Sequence, residues 1–290
     1  MQNDWQLPFD HGKSPKREIR LNDQIKEKLD EFFRSFAGAV SPLLLLDYDG
    51  TLAPFRVDRF KAQPWAGVRE LLTCIQKQTR TRMVAVTGRP AAEVVRLLAI
   101  EPAPEVWGLH GAERLHPDGR HEVESLPPAI LATLGEVRAQ LHQKITGGIL
   151  EEKPNSVAMH WRGEAPRKAA EIEAKTRAVL EPLAQTDGLA LLEFESGLEL
   201  RAGRDKGRAV KLLLDESEGA KQNPAAYLGD DITDEAAFRA IKGRGLSVLV
   251  KSKYRETDAD LWLRPPDELK EFLAKWLKAS RVDQSDPAHP

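Results

Sequence analysis

The sequence has little of several features that identify a protein class directly. One cysteine among 290 residues excludes a framework of intramolecular disulfides and a cysteine-rich zinc module. The 43 basic and 45 acidic residues leave a net charge of −2, so no overall field favours nucleic acid or an anionic membrane as a partner. Internal repeats and low-complexity segments are also missing. The chain is therefore expected to be globular, with one large or two modest domains.

The first residues and the cysteine bear on location. Residues 1–16 contain no apolar core, so they predict neither a signal peptide nor a transmembrane segment. Cys74 lies on the apolar side of a predicted helix, where a buried thiol is expected. A single thiol of this kind fits a reducing cytoplasm. We further expect a leader and an amphipathic helix over residues 1–38 and a polar, ill-ordered tail over residues 281–290.

One stretch combines an apolar strand with acidic residues. Four leucines, Leu43 to Leu46, precede Asp47-Tyr48-Asp49-Gly50-Thr51. The leucines predict a strand buried on both faces, as at the centre of a parallel sheet, with polar residues at its carboxyl end. Two carboxylates this close repel each other unless a hard cation such as Mg²⁺ lies between them. An ordinary Asp-rich turn explains the same residues, so partners elsewhere in the chain must decide.

The segments on both sides of this strand alternate between strands and helices. Further buried strands are predicted at residues 82–86, 105–109, 225–228 and 246–250, with helices between them. Strand, helix and strand in this order form right-handed crossover units. The predicted fold class is therefore α/β, with a doubly wound, Rossmann-like parallel-sheet core.

The pattern changes in the middle of the chain. Residues 114–202 contain short polar strands and two longer helices instead of the buried alternation. Such a block between two α/β parts predicts an inserted α+β cap domain. The catalytic core domain would then comprise residues 39–113 and 203–280.

Polar side chains follow several of the predicted core strands. Asp47 and Asp49 follow the first strand, Thr87 follows the second, and Asp230 follows a later one, while Lys206 begins a helix. These positions converge because the carboxyl ends of parallel strands meet at one edge of a sheet. A carboxylate that attacks phosphorus needs the charge of its substrate neutralised, which a metal, an ammonium and a hydroxyl can do. Asp47 is then the candidate nucleophile and Asp49 the candidate general acid and base.

In order and position, these motifs resemble those of the haloacid dehalogenase superfamily of phosphohydrolases. The matching residues are Asp47-x-Asp49-Gly50-Thr51, Thr87, Lys206 and Gly229-Asp230-Asp231-x-x-Asp234. The resemblance implies that Asp47 is phosphorylated and that Asp49 protonates the leaving oxygen and then activates water. It also implies that Mg²⁺ is held by Asp47, the backbone carbonyl of Asp49, and Asp230. Whether Asp231 or Asp234 also contacts the metal stays open.

Four segments are similar, more narrowly, to the trehalose-6-phosphate phosphatase family. They are residues 46–54, 108–113, 147–162 and 227–235. Thr87 stands where this family commonly has serine, which keeps the hydroxyl. Ala202 stands where a proline often follows the arginine, which leaves the geometry of that edge of the cap open.

Charged residues on predicted cap strands are candidates for binding a sugar. His160 and Arg162 share a face by the strand period of two, and so do Glu199 and Arg201. A disaccharide phosphate needs several polar partners outside the catalytic core. The resemblance favours Lys153, His160, Arg162 and Glu199 for this role over a solvent-exposed sheet face.

Arg89 is a candidate for binding phosphate. It precedes Pro90 at a predicted helix start, where a solvated arginine is an equal alternative.

The resemblance implies Mg²⁺-dependent hydrolysis of trehalose 6-phosphate to trehalose and phosphate, the final step of trehalose biosynthesis. A phosphatase for another sugar phosphate, such as sucrose 6-phosphate or mannosyl-3-phosphoglycerate, is the alternative among enzymes. A non-catalytic sugar-phosphate sensor, or a regulatory partner of the synthase, is the alternative from a different class. The expected partners are therefore trehalose 6-phosphate and, as a candidate, trehalose-6-phosphate synthase.

Overall fold

The structure of the chain is a computed structural model that describes residues 27–56, 58–203, 205–217 and 223–281. These residues form two compact units. The larger unit comprises the described residues up to Glu122 and from Asp205 onward, and the smaller unit comprises the described residues of Val123–Arg204. Most of the predicted leader and the tail beyond residue 281 lie outside the described residues.

In chain order, the strands of the described residues are β1 (Leu43–Leu46), β2 (Arg82–Val86), β3 (Glu105–Gly108), β4 (Glu113–Leu115), β5 (His121–Val123), β6 (Ile149–Lys153), β7 (Ser156–His160), β8 (Leu189–Phe194), β9 (Gly197–Ala202), β10 (Ala225–Gly229), β11 (Leu246–Val250) and β12 (Leu261–Leu263). The helices are α1 (27–34), α2 (Val68–Gln78), α3 (Ala91–Leu98), α4 (Pro128–Lys144), α5 (Pro166–Leu180), α6 (Lys206–Ser217), α7 (Glu235–Ile241) and α8 (Asp267–Ser280).

The larger unit is built on a sheet with the order β12-β11-β10-β1-β2-β3-β4-β5. The strands from β12 to β3 are parallel, and β1 lies between β10 and β2. Successive side chains of a strand point to opposite faces. Leu44 and Leu46 accordingly pack with α2, α3 and α8, whereas Leu43 and Leu45 pack with α6 and α7. Helices cover both faces, and the predicted doubly wound α/β core is confirmed.

The pairing of the strands defines the boundary between the two units. We predicted the inserted domain from residue 114 onward. In the structure, β4 pairs antiparallel with β3 and extends the larger sheet, and the smaller unit begins at Val123. Strands β4 and β5 therefore belong to the edge of the larger sheet.

The smaller unit combines two helices with an antiparallel sheet of order β6-β7-β9-β8. Side chains of α4 and α5, including Leu134 and Ile172, form an apolar core with Val157, Met159 and Leu198 of the sheet. The alternation of the strands leaves polar side chains on the opposite face. This unit is the α+β part predicted from the sequence.

Helix α1 belongs to the core of the larger unit. Leu29 of this helix and Phe36 just after it are buried, and the Phe36 ring meets the Trp276 ring of α8 edge to face at 4.8 Å. The start of the amphipathic helix predicted within residues 1–38 lies outside the described residues. None of the described helices combines the length and apolarity needed to span a membrane.

Candidate active site

The carboxyl ends of β1 and β10 bring Asp47 and Asp230 close together. Asp47 extends the pairing of β1, because its N–H donates to the carbonyl of Leu228 at 2.8 Å. Gly50 has a φ of +81°, and a Cβ at this position would lie 2.2 Å from the Asp230 carboxylate. Only glycine therefore allows the turn after Asp47 to pass so close to Asp230.

Lys206, at the start of α6, connects two buried carboxylates. Its ammonium donates to Asp47 Oδ1 at 2.6 Å and to Asp234 Oδ1 at 2.7 Å. The Thr51 hydroxyl donates to the other oxygen, Asp47 Oδ2, at 3.0 Å. Burial, opposed by the Lys206 ammonium, raises the pKa of Asp47 to about 7. Both oxygens of Asp47 are thus oriented by a donor at the edge of the sheet.

Asp234 organises the loop after β10. Its Oδ1 accepts from Lys206 and from the Tyr227 hydroxyl, and its Oδ2 accepts from the N–H groups of Asp230 and Asp231 at 3.0 Å each. Burial alone would raise the pKa of Asp234, but the Lys206 ammonium helps hold this pKa below its ordinary value. A carboxylate has about four acceptor positions, and four donors occupy them here. The geometry therefore favours a positioning role for Asp234.

The acidic residues at this edge fit a divalent cation. Oxygens of Asp47, Asp230 and Asp234 lie within 4.8 Å of one another, and all three residues are buried. Lys206 supplies one compensating charge, and the Lys251 ammonium lies 3.4 Å from Asp230 Oδ2. Burial and the charges of the neighbouring carboxylates raise the pKa of Asp230 well above its ordinary value. Oxygen-rich, acidic sites of this kind suit Mg²⁺. Four donors occupy the oxygens of Asp234, so Asp47 and Asp230 are the members of this group with acceptor positions left for such a cation.

Asp49 lies apart from that cluster and pairs with Arg89. The guanidinium donates from Nε to Asp49 Oδ2 at 2.5 Å and from Nη2 to Asp49 Oδ1 at 2.6 Å. A third bond runs from Arg89 Nη1 to the carbonyl of Arg59 at 2.7 Å, and the Tyr48 ring lies under the guanidinium. Arg89 is buried, so the alternative of a solvated arginine is wrong.

Thr87 is buried at the end of β2, where a second loop holds its backbone. Its N–H donates to the carbonyl of Trp107, and its own carbonyl accepts from the N–H of His110 at 2.8 Å. Leu109 and His110 both have positive φ values, 50° and 58°. The Thr87 hydroxyl accepts from the N–H of Arg89 at 3.1 Å and keeps its own proton to donate.

Three of the four predicted sugar-binding residues lie together on the polar face of the smaller unit. Lys153 Nζ lies 3.6 Å from Glu199 Oε1 and 3.7 Å from Glu151 Oε1. His160 Nε2 lies 3.1 Å from Glu151 Oε2. The Ser156 hydroxyl donates to Glu199 Oε1 at 2.6 Å. We refer to Glu151, Lys153, Ser156, His160 and Glu199 as the polar face.

Arg162 follows the end of strand β7. Strand β7 ends at His160, so the strand period of two no longer applies two residues later. The Arg162 side chain is 55% exposed, and it donates to the carbonyl of Glu195 at 3.3 Å.

Sequence reasoning missed several polar contacts. Glu151 and Ser156 belong to the polar face, and the alternation of β6 and β7 could have identified both. Lys251 and Arg255 follow β11 and contact the backbone of Asp230. No motif marks these two basic residues, because only the sheet order places β11 beside β10.

Comparison with known proteins identifies a family of related sequences. A family model described as trehalose-phosphatase matches residues 45–264. A trehalose-phosphate phosphatase of Mycobacterium marinum is 32% identical over 246 residues, which cover 81% of this chain and 61% of that protein. The chain therefore spans less than two thirds of the length of that relative.

Solved structures share the fold at lower identity. The C-terminal domain of trehalose-6-phosphate phosphatase from C. albicans has a TM-score of 0.70 at 21% identity, covering 87% of this chain and 97% of that one. A haloacid dehalogenase-like hydrolase from Bacteroides thetaiotaomicron has a TM-score of 0.60 at 19% identity, covering 81% and 99%. The core of this chain has the haloacid dehalogenase-like fold.

Proposed function

The chain belongs to the trehalose-phosphatase family, and from this premise we propose that it hydrolyses trehalose 6-phosphate to trehalose and phosphate with Mg²⁺ as cofactor. The observation that carries the proposal is the environment of Asp47. A buried carboxylate whose two oxygens are oriented by Lys206 and Thr51, beside a second acidic residue at Asp230, suits nucleophilic attack on a phosphate ester.

The first step would transfer the phosphoryl group to Asp47. One Asp47 oxygen attacks phosphorus, the bond from phosphorus to the sugar oxygen breaks, and the electron pair leaves with that oxygen. The Lys206 ammonium and the Thr87 hydroxyl would stabilise the charge on the phosphoryl oxygens. Mg²⁺, when held by Asp47 and Asp230, supplies further neutralisation of that charge.

Asp49 would donate a proton to the leaving sugar oxygen and then accept one from the water that hydrolyses phosphorylated Asp47. Arg89 binds both oxygens of Asp49. Proton donation therefore requires Asp49 to give up at least one of these two bonds. Arg89 is in addition our candidate for contact with the phosphate, for which its multiple N–H donors are suited.

Selection of the sugar is assigned to the polar face and to Arg162. Charged and hydroxyl groups on one sheet face can each bind a sugar hydroxyl, and a site built in this way rejects analogues that lack the hydroxyl. We further propose a cytoplasmic location and trehalose-6-phosphate synthase as a candidate protein partner.

The test is phosphate release, in the presence of Mg²⁺, from trehalose 6-phosphate, sucrose 6-phosphate, glucose 6-phosphate and an aryl phosphate. We expect a strong preference for trehalose 6-phosphate. Asp47→Asn should abolish turnover because the neutral amide is a poor nucleophile, whereas Asp118→Asn, in an exposed turn, should keep it.

Other outcomes separate the alternatives. Preference for another sugar phosphate would retain the chemistry of the core and contradict the assignment of the polar face. Tight binding of trehalose 6-phosphate without turnover of any ester would favour the sensor. Release that survives Asp47→Asn would contradict the assignment of the nucleophile.

A further inference from the structure

The loop between β11 and β12 contacts the loop that carries Asp230, a residue of the candidate metal site. Arg255 in this loop donates from Nη2 to the carbonyl of Asp231 at 2.7 Å and from Nε to the carbonyl of Asp230 at 3.3 Å. Its Nη1 donates to the Glu235 carboxylate and to the carbonyl of Glu256. One guanidinium therefore joins the loop after β11 to the loop that carries Asp230.

Glu235, the first residue of α7, fixes this arginine. Its Oε1 also accepts from the Thr257 hydroxyl at 2.8 Å, and its Oε2 accepts from the N–H of Asp258 at 2.8 Å. The side chains of Arg255 and Glu235 are only 20% and 15% exposed. A pair held by so many bonds and shielded from water is more rigid than an exposed ion pair.

The peptide groups of Asp230 and Asp231 are consequently held from two sides. Their N–H groups donate to Asp234 Oδ2, and their carbonyls accept from Arg255. Lys251 adds a second contact to the Asp230 carbonyl, also at 3.3 Å. The direction of the Asp230 carboxylate depends on the orientation of this backbone.

We propose that Arg255, oriented by Glu235, is a positioning residue for Asp230 and sets the affinity of the metal site. This inference rests on the Mg²⁺ site of the proposed function. Some residues orient a metal ligand by hydrogen bonds without touching the metal. Removing such a residue typically lowers metal affinity or activity about 10-fold to 100-fold. The planar fork of arginine reaches two carbonyls and a carboxylate at once, which the single ammonium of lysine cannot do.

The experiment measures binding of Mg²⁺ and Mn²⁺ by calorimetry to the full chain and to Arg255→Lys, Arg255→Ala and Glu235→Gln. We expect the Kd of both Arg255 variants to rise about 10-fold to 100-fold, with a smaller rise for Glu235→Gln. Arg239→Ala is the matched control. Arg239 bonds Asp258 of the same loop at 2.9 Å but is 59% exposed and has no contact with Asp230 among those described.

A second readout separates positioning from general stability. The Mg²⁺ concentration for half-maximal phosphate release should rise with the Kd in Arg255→Lys, while kcat at saturating Mg²⁺ stays within about twofold of the wild type. Hydrogen exchange at the Asp230 and Asp231 amides should become faster in that variant. Thermal melting of each variant identifies any that fail to fold, and the conservative Arg255→Lys replaces Arg255→Ala if the latter does.

The outcomes distinguish this inference from the function on which it rests. If the wild type binds metal and folded Arg255→Lys and Arg255→Ala bind it equally tightly, the positioning role is overturned. The proposed function is then left intact. An equal rise in Kd for Arg239→Ala also overturns it, because the effect would then belong to the loop as a whole. A wild type that binds neither cation overturns the metal site and this inference together.

Discussion

Lys206 is enclosed with two carboxylates where α6 begins, and its ammonium opposes the negative charge of both. Burial would lower the pKa of Lys206, but Asp234 and Asp47 raise it above its ordinary value, so it stays charged. Removing one partner of a buried ion pair costs far more than removing an exposed pair, because the other charge is left in a medium of low polarity. Lys206, Asp47 and Asp234 must therefore be considered as one group.

We predict that Lys206→Met lowers the free energy of unfolding by about 3–5 kcal/mol when no divalent cation is present. Adding Asp47→Asn to this variant should recover part of the loss, because one of the two stranded carboxylates is then neutral. Urea unfolding of both single variants and of the double variant, in chelator, measures the coupling. Costs that simply add would contradict the coupled group.

At the scale of elements, helix α1, which precedes β1, is attached by packing and by charge to elements near the C-terminal side of the larger unit. Besides the aromatic contacts with α8, Lys28 of α1 donates to Asp260, just before β12, at 2.5 Å. The Ser247 hydroxyl of β11 donates to the same carboxylate at 2.7 Å. Asp260 thus joins α1 to the consecutive strands β11 and β12, which lie far from α1 in the sequence.

This junction predicts a pH dependence of stability. Burial would raise the pKa of Asp260, but the bonds from Ser247 and Lys28 hold it below its ordinary value. A carboxylate with a folded pKa below the unfolded value of about 3.9 contributes stability above that pH and loses it as the pH falls toward the folded pKa. Asp260→Asn should therefore lower stability at neutral pH and flatten its decline below about pH 4.

The measurement is the urea midpoint as a function of pH for wild type and Asp260→Asn. Asp267→Asn serves as the control, because that carboxylate is 82% exposed beside Lys270. A decline in acid that is as steep in Asp260→Asn as in the wild type would show that other carboxylates are responsible.

At the scale of the whole molecule, two units with separate cores divide the proposed work. The larger unit carries every residue assigned to chemistry, and the smaller unit carries the polar face. Chemistry common to many phosphate esters and selection of one sugar are then independent properties. Changes in the smaller unit should alter which ester is used, and changes at Asp47 should alter whether any ester is used.

Glu199→Gln tests this division. We expect kcat/KM for trehalose 6-phosphate to fall about 10-fold to 100-fold, as for the loss of a hydrogen bond to a charged group, with little change for an aryl phosphate. Glu193→Gln is the control, since Glu193 lies on neighbouring β8, is 63% exposed and pairs with Arg177. An equal loss for both substrates, or a lowered melting temperature that explains it, would contradict a role in selection.

Much of the fold could be predicted from the sequence because its periodicity is strong. The leucines before Asp47 form a buried central strand, and the two longer helices predicted within residues 114–202 are present as Pro128–Lys144 and Pro166–Leu180. Asp47, Asp230 and Lys206 meet, as expected, because parallel strands direct their carboxyl ends to one edge. Local pattern and the rules of parallel sheets sufficed for these features.

The sequence by itself therefore determined the alternation of elements, the acidic residues at the strand ends and the family motifs. Only the tertiary structure decided which side chains pair: Arg89 with Asp49, Asp234 with Lys206, and Arg255 with the Asp230 loop. The physical reason is that periodicity reports which face of an element is apolar, whereas the partner of a charged side chain depends on which strands are neighbours in the sheet. That neighbourhood is a property of the folded chain.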